Sequence, residues 1–484
     1  MNQKLLVLIC LCCTSMLAAS ENIDYTDGVF FVNEDWYGHQ NSTINFLNPN
    51  ASSGEEWHYR VFQKENPGKE LGCTNQYGAI HDGRFFLIAK QAKDPGAKIT
   101  GGRITVADAI TMKMLFQSEL IDPSGNQCDG RGFAGLDSHK GYISTSHGVW
   151  VFDLDKYSVT KMVEGTENPY GYSSGGNTNS AGALYHGQCG SMLITEGKLF
   201  VAHQEYGLLV VNTETDIVEH TISMDIVEKD AGIGSIVLSK DGNIWASVAK
   251  SKDGLGATLP YLVKINPSSL QYEIIEIPET IFAPANSWYA WTPDAFCSSN
   301  QRNLLYWNGG ANSWFSTDKI FRYDIDNNKF SEIIDLSQET TQSVKWKLYG
   351  CSMRVHPDTD ELYMSLFHEF GTPVYITRTY DCNGIKLREY PMIENYWFPS
   401  IPVFPDSKKQ SGIEANTLSG IKPTVNISNR RLTVLNGCGK ELHIYNLQGR
   451  RCFSVKIDSD DFSTELLIPS GFYIDNFSHK LIIN

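Results

Sequence analysis

The chain has 484 residues, which exceeds one ordinary domain and leaves room for a large closed β architecture plus an appendage. Glycine accounts for 41 residues and aromatic residues for 12 %. Turn formers and large apolar rings are therefore both plentiful, and wholesale disorder is excluded. The formal net charge of −15 argues against a nucleic-acid partner, because affinity for a phosphate backbone comes mostly from Lys and Arg.

Residues 1–20 have the features of a secretory signal. A short basic start precedes an apolar run and then small residues, with cleavage predicted after Ser20. Cys13 at the end of the apolar run is the alternative, a lipid anchor. No later segment is apolar for 18 residues, so we expect no transmembrane helix. The sequence therefore predicts an exported protein, at the cell surface and outer membrane or extracellular.

A two-residue turn followed by an aromatic or aliphatic strand recurs seven times at spacings of 44 to 61 residues. Asp-Gly between apolar runs is a strong hairpin signal. Units of this length, with several short strands and no helical periodicity, predict an all-β fold, a seven-bladed β-propeller over residues 21–405. The turns begin at Asp27, Asp82, Lys140, Gly197, Asp241, Arg302 and Asp360.

Each unit places a strand of small residues before the turn and an aliphatic strand after it. Small residues suit the innermost strand, where blades crowd at the axis. The first unit lacks such a strand, and Ile401 to Phe404 are left over at the end of the repeat. We expect this segment to pair beside residues 29–34 and to close the ring, which removes an exposed sheet edge.

The turns should all lie at one end of the propeller and the longer loops at the other. Eight of the ten tryptophans lie in or beside those loops. One interpretation is that these aromatic residues cap the blade ends and plug the channel. The other is an aromatic platform for a small molecule or a glycan. On the second interpretation the ligand-binding residues are Trp36, Tyr37, Gln76, Tyr77, Arg131, Tyr185, His186, Tyr206, Trp288, Tyr289, Trp291, Trp314, Trp346, Phe367, His368 and Trp397.

The sequence offers little for an enzyme. It has no HExxH motif, no G-x-S-x-G elbow and no P-loop. The acidic run from Asp324 to Asn328 lacks the glycine and terminal Glu of an EF-hand and is better explained as a hairpin turn. We therefore expect no catalytic residues, no cofactor and no bound metal. The alternative is a metal-dependent lactonase-like or lyase-like propeller with histidines at its axis, namely His39, His147, His186, His203 and His368. A protein-interaction or adhesion module is a third hypothesis.

Eight cysteines remain after the signal, and none forms a C-x-x-C pair, so zinc is not indicated. Four of them fall at one recurring position of the repeat, where buried thiols in close-packed strands are the preferred explanation over disulfides. These are Cys73, Cys189, Cys297 and Cys351.

The C-terminal part is predicted as a second domain. Residues 406–424 are polar with Gly and Pro and form a linker. Residues 425–484 alternate short strands with turns, which predicts a small β-sandwich. Cys438 and Cys452 are either a disulfide that staples this small unit or two thiols.

The segments 26–47, 72–80, 148–159 and 349–357 resemble exported propeller proteins of Bacteroidetes, often placed with YncE-like and BtuG-like propellers. The resemblance covers roughly residues 22–405. It implies capture of a nutrient such as a corrinoid and a TonB-dependent outer-membrane transporter as partner. No corrinoid-contact motif is matched.

The tail resembles the C-terminal sorting domains of type IX secretion cargo. The matching pieces are Ile444-Tyr445-Asn446, Gly449-Arg450, Gly471-Phe472-Tyr473-Ile474 and the segment from Lys480. The pattern departs at Asp475-Asn476, where an apolar-basic continuation is usual. The resemblance implies a sorting role, and a retained accessory domain is the alternative.

Overall fold

The computed structural model describes residues 23–172, 186–252, 257–284, 296–310, 316–339, 345–369, 371–398 and 400–405. In the C-terminal part it describes residues 424–428, 430–435, 441–446, 450–457, 459, 461–475 and 480–483. The predicted signal with Cys13, almost all of the predicted linker and Cys438 lie outside these residues. The chain divides into two compact units, Met1–Asp406 and Ser407–Asn484.

The described residues of the first unit form seven four-stranded antiparallel sheets. We number the sheets along the chain, beginning with β1 (Val29–Asn33), β2 (Thr43–Leu47) and β3 (Trp57–His58) of sheet 1. Sheet 2 contains β4 (Cys73–His81), β5 (Arg84–Gln91), β6 (Ile104–Asp108) and β7 (Met114–Ser118). Sheet 3 contains β8 (Gly130–Gly135), β9 (Lys140–Thr145), β10 (Val149–Asp153) and β11 (Ser158–Met162). Sheet 4 contains β12 (Cys189–Thr195), β13 (Lys198–His203), β14 (Gly207–Asn212) and β15 (Ile217–Ile222).

Sheet 5 contains β16 (Gly232–Leu238), β17 (Ile244–Ala249), β18 (Thr258–Ile265) and β19 (Tyr272–Glu276). Sheet 6 contains β20 (Cys297–Ser298), β21 (Leu304–Asn308), β23 (Lys319–Asp324) and β24 (Lys329–Asp335). Sheet 7 contains β26 (Met353–Val355), β27 (Leu362–Phe367), β28 (Tyr375–Tyr380) and β29 (Lys386–Pro391). The short strands β22 (Ser316–Thr317) and β25 (Leu348–Tyr349) pair with each other. One short helix, α1 (Val61–Glu65), and two 3-10 turns, Met224–Ile226 and Leu336–Gln338, accompany the described strands.

Tight hairpins join the first two strands of sheets 2 and 4. Asp82 and Gly83, with φ of 50° and 69°, connect β4 to β5, as the sequence predicted. In sheet 4 the turn is Glu196-Gly197, one residue earlier than the predicted Gly197-Lys198, because Lys198 already pairs with Thr195. Positive φ at both central residues matches the twist of the flanking strands, and glycine adopts it without a steric penalty. We call the end of the first unit that carries these hairpins the turn end, and the opposite end the loop end.

The first sheet is completed from the far end of the repeat. Strand β30 (Ser400–Val403) pairs antiparallel with β1, with Phe30 opposite Val403 and Val32 opposite Ile401. This pairing confirms the predicted closure. The strand begins at Ser400, one residue before the predicted start at Ile401. The pairing joins the two ends of the repeat, so the fold is all-β and propeller-like.

Apolar cores lie between neighbouring sheets. In one of them the rings of Phe86 from sheet 2 and Phe133 from sheet 3 stack with their centroids 3.8 Å apart. Of the four recurring cysteines, Cys73, Cys189 and Cys351 are fully buried and Cys297 is half-buried. The preferred explanation of these cysteines as packed small residues is confirmed for the three that are buried.

The second unit has two described sheets. One contains β31 (Thr424–Ser428), β32 (Arg431–Leu435) and β35 (Asp461–Glu465), and the other contains β33 (Glu441–Asn446), β34 (Arg451–Lys456), β36 (Gly471–Asp475) and β37 (Lys480–Ile483). Both contribute to one apolar cluster, in which Leu432 and Ile444 are fully buried. The unit therefore has a core of its own.

Candidate functional site

Three of the predicted ligand-binding residues are exposed aromatic side chains. Trp36 is 42 % exposed, Tyr37 54 % and Tyr206 38 %. Trp36 stacks on Tyr396 with ring centroids 4.8 Å apart. The backbone N–H of Gly38 donates to Asp94 at 2.7 Å, which holds the loop that carries Trp36 and Tyr37. These rings are therefore presented to solvent on an anchored loop.

Three other predicted residues are buried. Trp346, Phe367 and Trp397 are 9 %, 3 % and 1 % exposed. Trp397 stacks on Tyr59 at 5.3 Å, and its indole N–H donates to the carbonyl oxygen of Ile393 at 3.0 Å. These side chains pack at the sheet ends, which corresponds to the interpretation of the aromatic set as caps.

The two histidines of the predicted ligand-binding set, His186 and His368, are half-buried. His186 lies edge-on to Tyr170 at 5.7 Å, and His368 follows β27 directly. Tyr206 stacks on His203 at 4.4 Å. Five further predicted residues lie outside the described residues, namely Tyr185, Trp288, Tyr289, Trp291 and Trp314.

Gln76 and Arg131 occupy irregular positions in two inner strands. The pairing of β4 with β5 shifts between Asn75 and Tyr77, and the pairing of β8 with β9 shifts between Gly130 and Gly132. Similar shifts occur in β12 and β16. A bulge inserts an unpaired residue and re-aims its side chain, and bulges are common at binding sites. The inserted residues here are Gln76 and Arg131.

These two residues belong to what we call the polar cluster, contributed by sheets 1 to 4 and the segments beside them. The Gln76 amide donates to the carboxylate of Glu34 at 2.6 Å. The Nε and Nη2 atoms of Arg131 both donate to the Gln188 side-chain oxygen, at 2.9 and 2.5 Å. The members are Glu34, Gln76, Lys90, Arg131 and Gln188, and Arg131 is only 2 % exposed.

Electrostatic coupling connects the charged members of the polar cluster. Burial lowers the pKa of Lys90 to about 8, and the positive charge of Arg131 is the next largest cause. Burial also raises the pKa of Glu34, and the positive charge of Lys90 opposes that rise. Lys90 and Glu34 keep some exposed surface, but the surrounding protein desolvates their charges. One desolvated carboxylate and two desolvated cations thus interact at the loop end.

Sequence reasoning identified Gln76 and Arg131 but missed Glu34, Lys90 and Gln188 as site residues. A signal was present for Lys90, because it is a charged residue near the loop end of strand β5 and directly follows five apolar residues. Glu34 directly follows β1, and Gln188 directly precedes β12. Their convergence depends on how four sheets are arranged, which the local sequence pattern does not report.

A cavity of about 330 Å³ lies between the inner strands. Six of these strands line it, and Phe404, which follows β30, contributes for sheet 1, so residues from or beside all seven sheets reach the cavity. Tyr77 and Gly132 of its wall follow Gln76 and Arg131 in the chain, but no member of the polar cluster lines the cavity. The Tyr77 hydroxyl donates to the carbonyl oxygen of Phe133 at 2.6 Å. Other lining residues are Gly190, Ser191, Met192, Leu193, Ile236, Val237, Leu238, Phe296, Cys297, Ser298, Arg354 and Val355.

Within the described part of the chain, no group of three or more His, Cys, Asp or Glu side chains has the arrangement of a metal site. Burial lowers the pKa of His203 to about 4, so this histidine is neutral at physiological pH. Among the same residues no helix is both long and apolar enough to cross a membrane.

Several solved structures are similar to the chain. The extracellular domain of the putative one-component system BT4673 from B. thetaiotaomicron is 12 % identical, with a TM-score of 0.43; the alignment covers 93 % of this chain and 53 % of that one. The chain therefore matches about half the length of that domain. AztD from Citrobacter koseri is 10 % identical, with a TM-score of 0.41 and coverages of 91 % and 99 %. Oligogalacturonate lyase from Vibrio parahaemolyticus is 9 % identical, with a TM-score of 0.41 and coverages of 77 % and 93 %.

At these identities and TM-scores, none of the three structures indicates what this chain binds or does. A search of the curated proteins finds no match. A family model does match, over residues 27–405, which is most of the chain and all of the repeat. The chain belongs to the family described as a domain of unknown function, DUF5074.

Proposed function

We propose that the chain is an exported ligand-binding protein whose seven sheets are the blades of a β-propeller. In this proposal a nutrient molecule, such as a corrinoid, binds at the loop end of the axis, against the polar cluster and the exposed aromatic residues. The protein captures the molecule without transforming it and delivers it to a TonB-dependent transporter in the outer membrane. The C-terminal unit is a small β-sandwich that serves sorting.

The polar cluster is the observation that carries this proposal. Lys90, Arg131 and Glu34 come from sheets 2, 3 and 1, and each charge is desolvated by its surroundings. Placing charges in such surroundings costs free energy that an apolar core would not require. Desolvated and mutually perturbed charges are common at functional sites.

The exposed aromatic residues supply the second part of a binding surface. Trp36 lies two residues after Glu34 and stacks on Tyr396. Burial raises the pKa of Tyr396 to about 12, and the negative charge of Glu34 adds to that rise. Large flat side chains give contact area at low cost in conformational entropy. A ligand with a broad ring system suits this surface, and the resemblance of the repeat to corrinoid-capturing propellers supports a corrinoid.

Isothermal titration of the purified chain with cobalamin and related corrinoids tests the ligand. We expect saturable heat with at least one of them. Heat from none of them contradicts the corrinoid part of the proposal.

The non-catalytic part is tested by metal analysis of the purified protein, because stoichiometric metal that chelation removes together with an activity would favour a metal-dependent enzyme.

A further inference from the structure

We propose that the cavity between the inner strands is a second binding site, for a small molecule with an apolar body and no positive charge. We call it the inner-strand cavity, and its wall consists of the lining residues named above. No member of the polar cluster belongs to that wall. The inference therefore goes beyond the proposed function, which concerns the loop end.

The first argument is the unfilled volume. The inner-strand cavity measures about 330 Å³, whereas close-packed protein interiors contain few voids larger than a water molecule. Pockets that bind small molecules begin at about this size. Because residues from or beside all seven sheets reach the cavity, it is not a packing defect between one pair of sheets.

The second argument is the apolar character of the wall. Five of its aliphatic side chains are only half-buried, namely Met192, Leu193, Val237, Leu238 and Val355. Apolar side chains in contact with water cost free energy in proportion to their exposed area. An apolar molecule that fills the cavity removes these side chains from water and is bound for that reason.

Two neighbouring sheets present aliphatic residues to the cavity in the same way. The pairing of β12 with β13 shifts between Cys189 and Met192, and the pairing of β16 with β17 shifts between Ile233 and Ile236. A bulge of this kind re-aims the side chains beside it. In both strands the first paired residue after the shift, Met192 or Ile236, lines the cavity. The apolar wall is thus built by a repeated backbone feature.

Polar side chains of the wall are held by hydrogen bonds within the protein. The Ser298 hydroxyl donates to the carbonyl oxygen of Leu238 at 2.7 Å. Arg354 donates through Nη1 to the carbonyl oxygen of Gly78 at 2.9 Å, and its guanidinium lies 5.7 Å from the centroid of the Tyr77 ring. These bonds orient the polar groups, so contacts with the apolar body of the ligand supply most of the affinity.

Arg354 determines which charge the site excludes. Among the described lining residues it is the one charged side chain, and none of them is Asp or Glu. A cation that entered the cavity would lose water and meet a like charge without a carboxylate in the wall to offset it. The ligand is therefore neutral or anionic.

Calorimetric titration of the full chain with 2-naphthol tests the inference, because this neutral molecule has two apolar rings and one hydroxyl. We expect saturable binding of 2-naphthol, and a Kd at least about tenfold higher for the cation of 2-naphthylmethylamine. Leu193→Asn should raise the Kd for 2-naphthol at least about threefold, because it replaces an apolar wall side chain by a polar one of similar size. Leu387→Asn, at a position that is 46 % exposed and outside the wall, is the matched control and should bind like the wild type.

Alkylation of Cys297 locates the bound molecule. Cys297 lines the cavity and is half-buried, and Cys452 of the second unit is also half-buried. Saturating 2-naphthol should slow the reaction of Cys297 with iodoacetamide severalfold and leave the reaction of Cys452 unchanged. Mass spectrometry of the digested protein measures both rates.

Each outcome decides for or against the site. No saturable binding of 2-naphthol, binding without protection of Cys297, or tighter binding of the amine overturns the inference, as do equal effects of the two leucine variants. A Cys297 that does not react in the ligand-free chain shows that small molecules do not enter the cavity and also overturns it. The baseline Tm of each variant shows that it is folded. Corrinoid binding is measured separately, so this inference and the proposed function fail independently.

Discussion

At the scale of single residues, two tryptophans with the same predicted role have different environments. Trp36 is 42 % exposed on an anchored loop, whereas Trp397 is 1 % exposed and stacks on Tyr59. The sequence places both in the loop-end set but does not show which ring faces solvent. That difference depends on packing between sheets 1 and 7, far apart in the chain.

The two residues therefore respond differently to truncation. Trp36→Ala should weaken ligand binding at least about tenfold, with a free energy of unfolding within about 0.5 kcal/mol of the wild type. Trp397→Ala should cost about 3–5 kcal/mol of stability, because it leaves a cavity in packed surroundings. Urea denaturation and calorimetric titration measure the two effects. A large loss of stability in Trp36→Ala would show that this ring is structural.

Asp35 gives a prediction about pH. It is 1 % exposed with φ of 60°, and burial raises its pKa to about 8, with Glu34 adding a smaller rise. The folded state thus favours the protonated form, so this contribution to stability is present at low pH. It is lost as pH rises from the ordinary value near 3.8 to about 8.

Asp35→Asn should remove that dependence, because asparagine stays neutral and tolerates a left-handed backbone. We expect the variant to gain stability over the wild type as pH rises through this window. The gain should be on the order of a few kcal/mol at its upper end. Chemical denaturation at several pH values measures it. Parallel curves for the two proteins would contradict the raised pKa.

At the scale of elements, turn chemistry and strand composition predict most of the first unit. Asp82-Gly83 forms the expected hairpin, and the leftover segment near Ile401 completes sheet 1. The bulges in β4, β8, β12 and β16 were not predicted, because an inserted residue leaves no mark in an already irregular run of small residues. These bulges place Gln76 and Arg131 in the polar cluster, so the site was less predictable than the fold.

Ring closure should contribute strongly to stability. Ile401 is fully buried in β30 opposite Val32, so Ile401→Ala should cost about 2–5 kcal/mol. Leu387→Ala in β29, where the side chain is 46 % exposed, is the matched control and should change stability by less than about 0.5 kcal/mol. Equal effects of the two variants would mean that the closing strand contributes little.

At the scale of the whole molecule, the chain consists of two compact units, each with its own apolar core. Separate cores predict two unfolding transitions in scanning calorimetry. Leu432→Ala, in the core of the second unit, should lower the temperature of one transition and leave the other unchanged. A single transition that shifts as a whole would show that the two units unfold cooperatively.

The polar cluster also depends on how the sheets of the first unit are arranged, because its members come from different sheets. Glu34, Lys90 and Arg131 come from sheets 1, 2 and 3 or the segments beside them, and they interact at the loop end of these sheets. Composition and turn spacing predicted the repeated sheets, but not which charges would meet, because that depends on how the sheets are arranged. The acidic balance argued against nucleic acid but did not indicate this cluster of charges.

The most direct test of the central claim, that a ligand binds at the loop end of the axis, is isothermal titration with cobalamin of three full-length proteins. These are the wild type, Trp36→Ala at the loop end, and Lys156→Met in the exposed turn between β10 and β11 at the turn end. We predict equal affinity for the wild type and Lys156→Met, and a Kd at least about tenfold higher for Trp36→Ala, which corresponds to about 1.4 kcal/mol. No heat from the wild type, or an unchanged Kd in Trp36→Ala, would contradict the account.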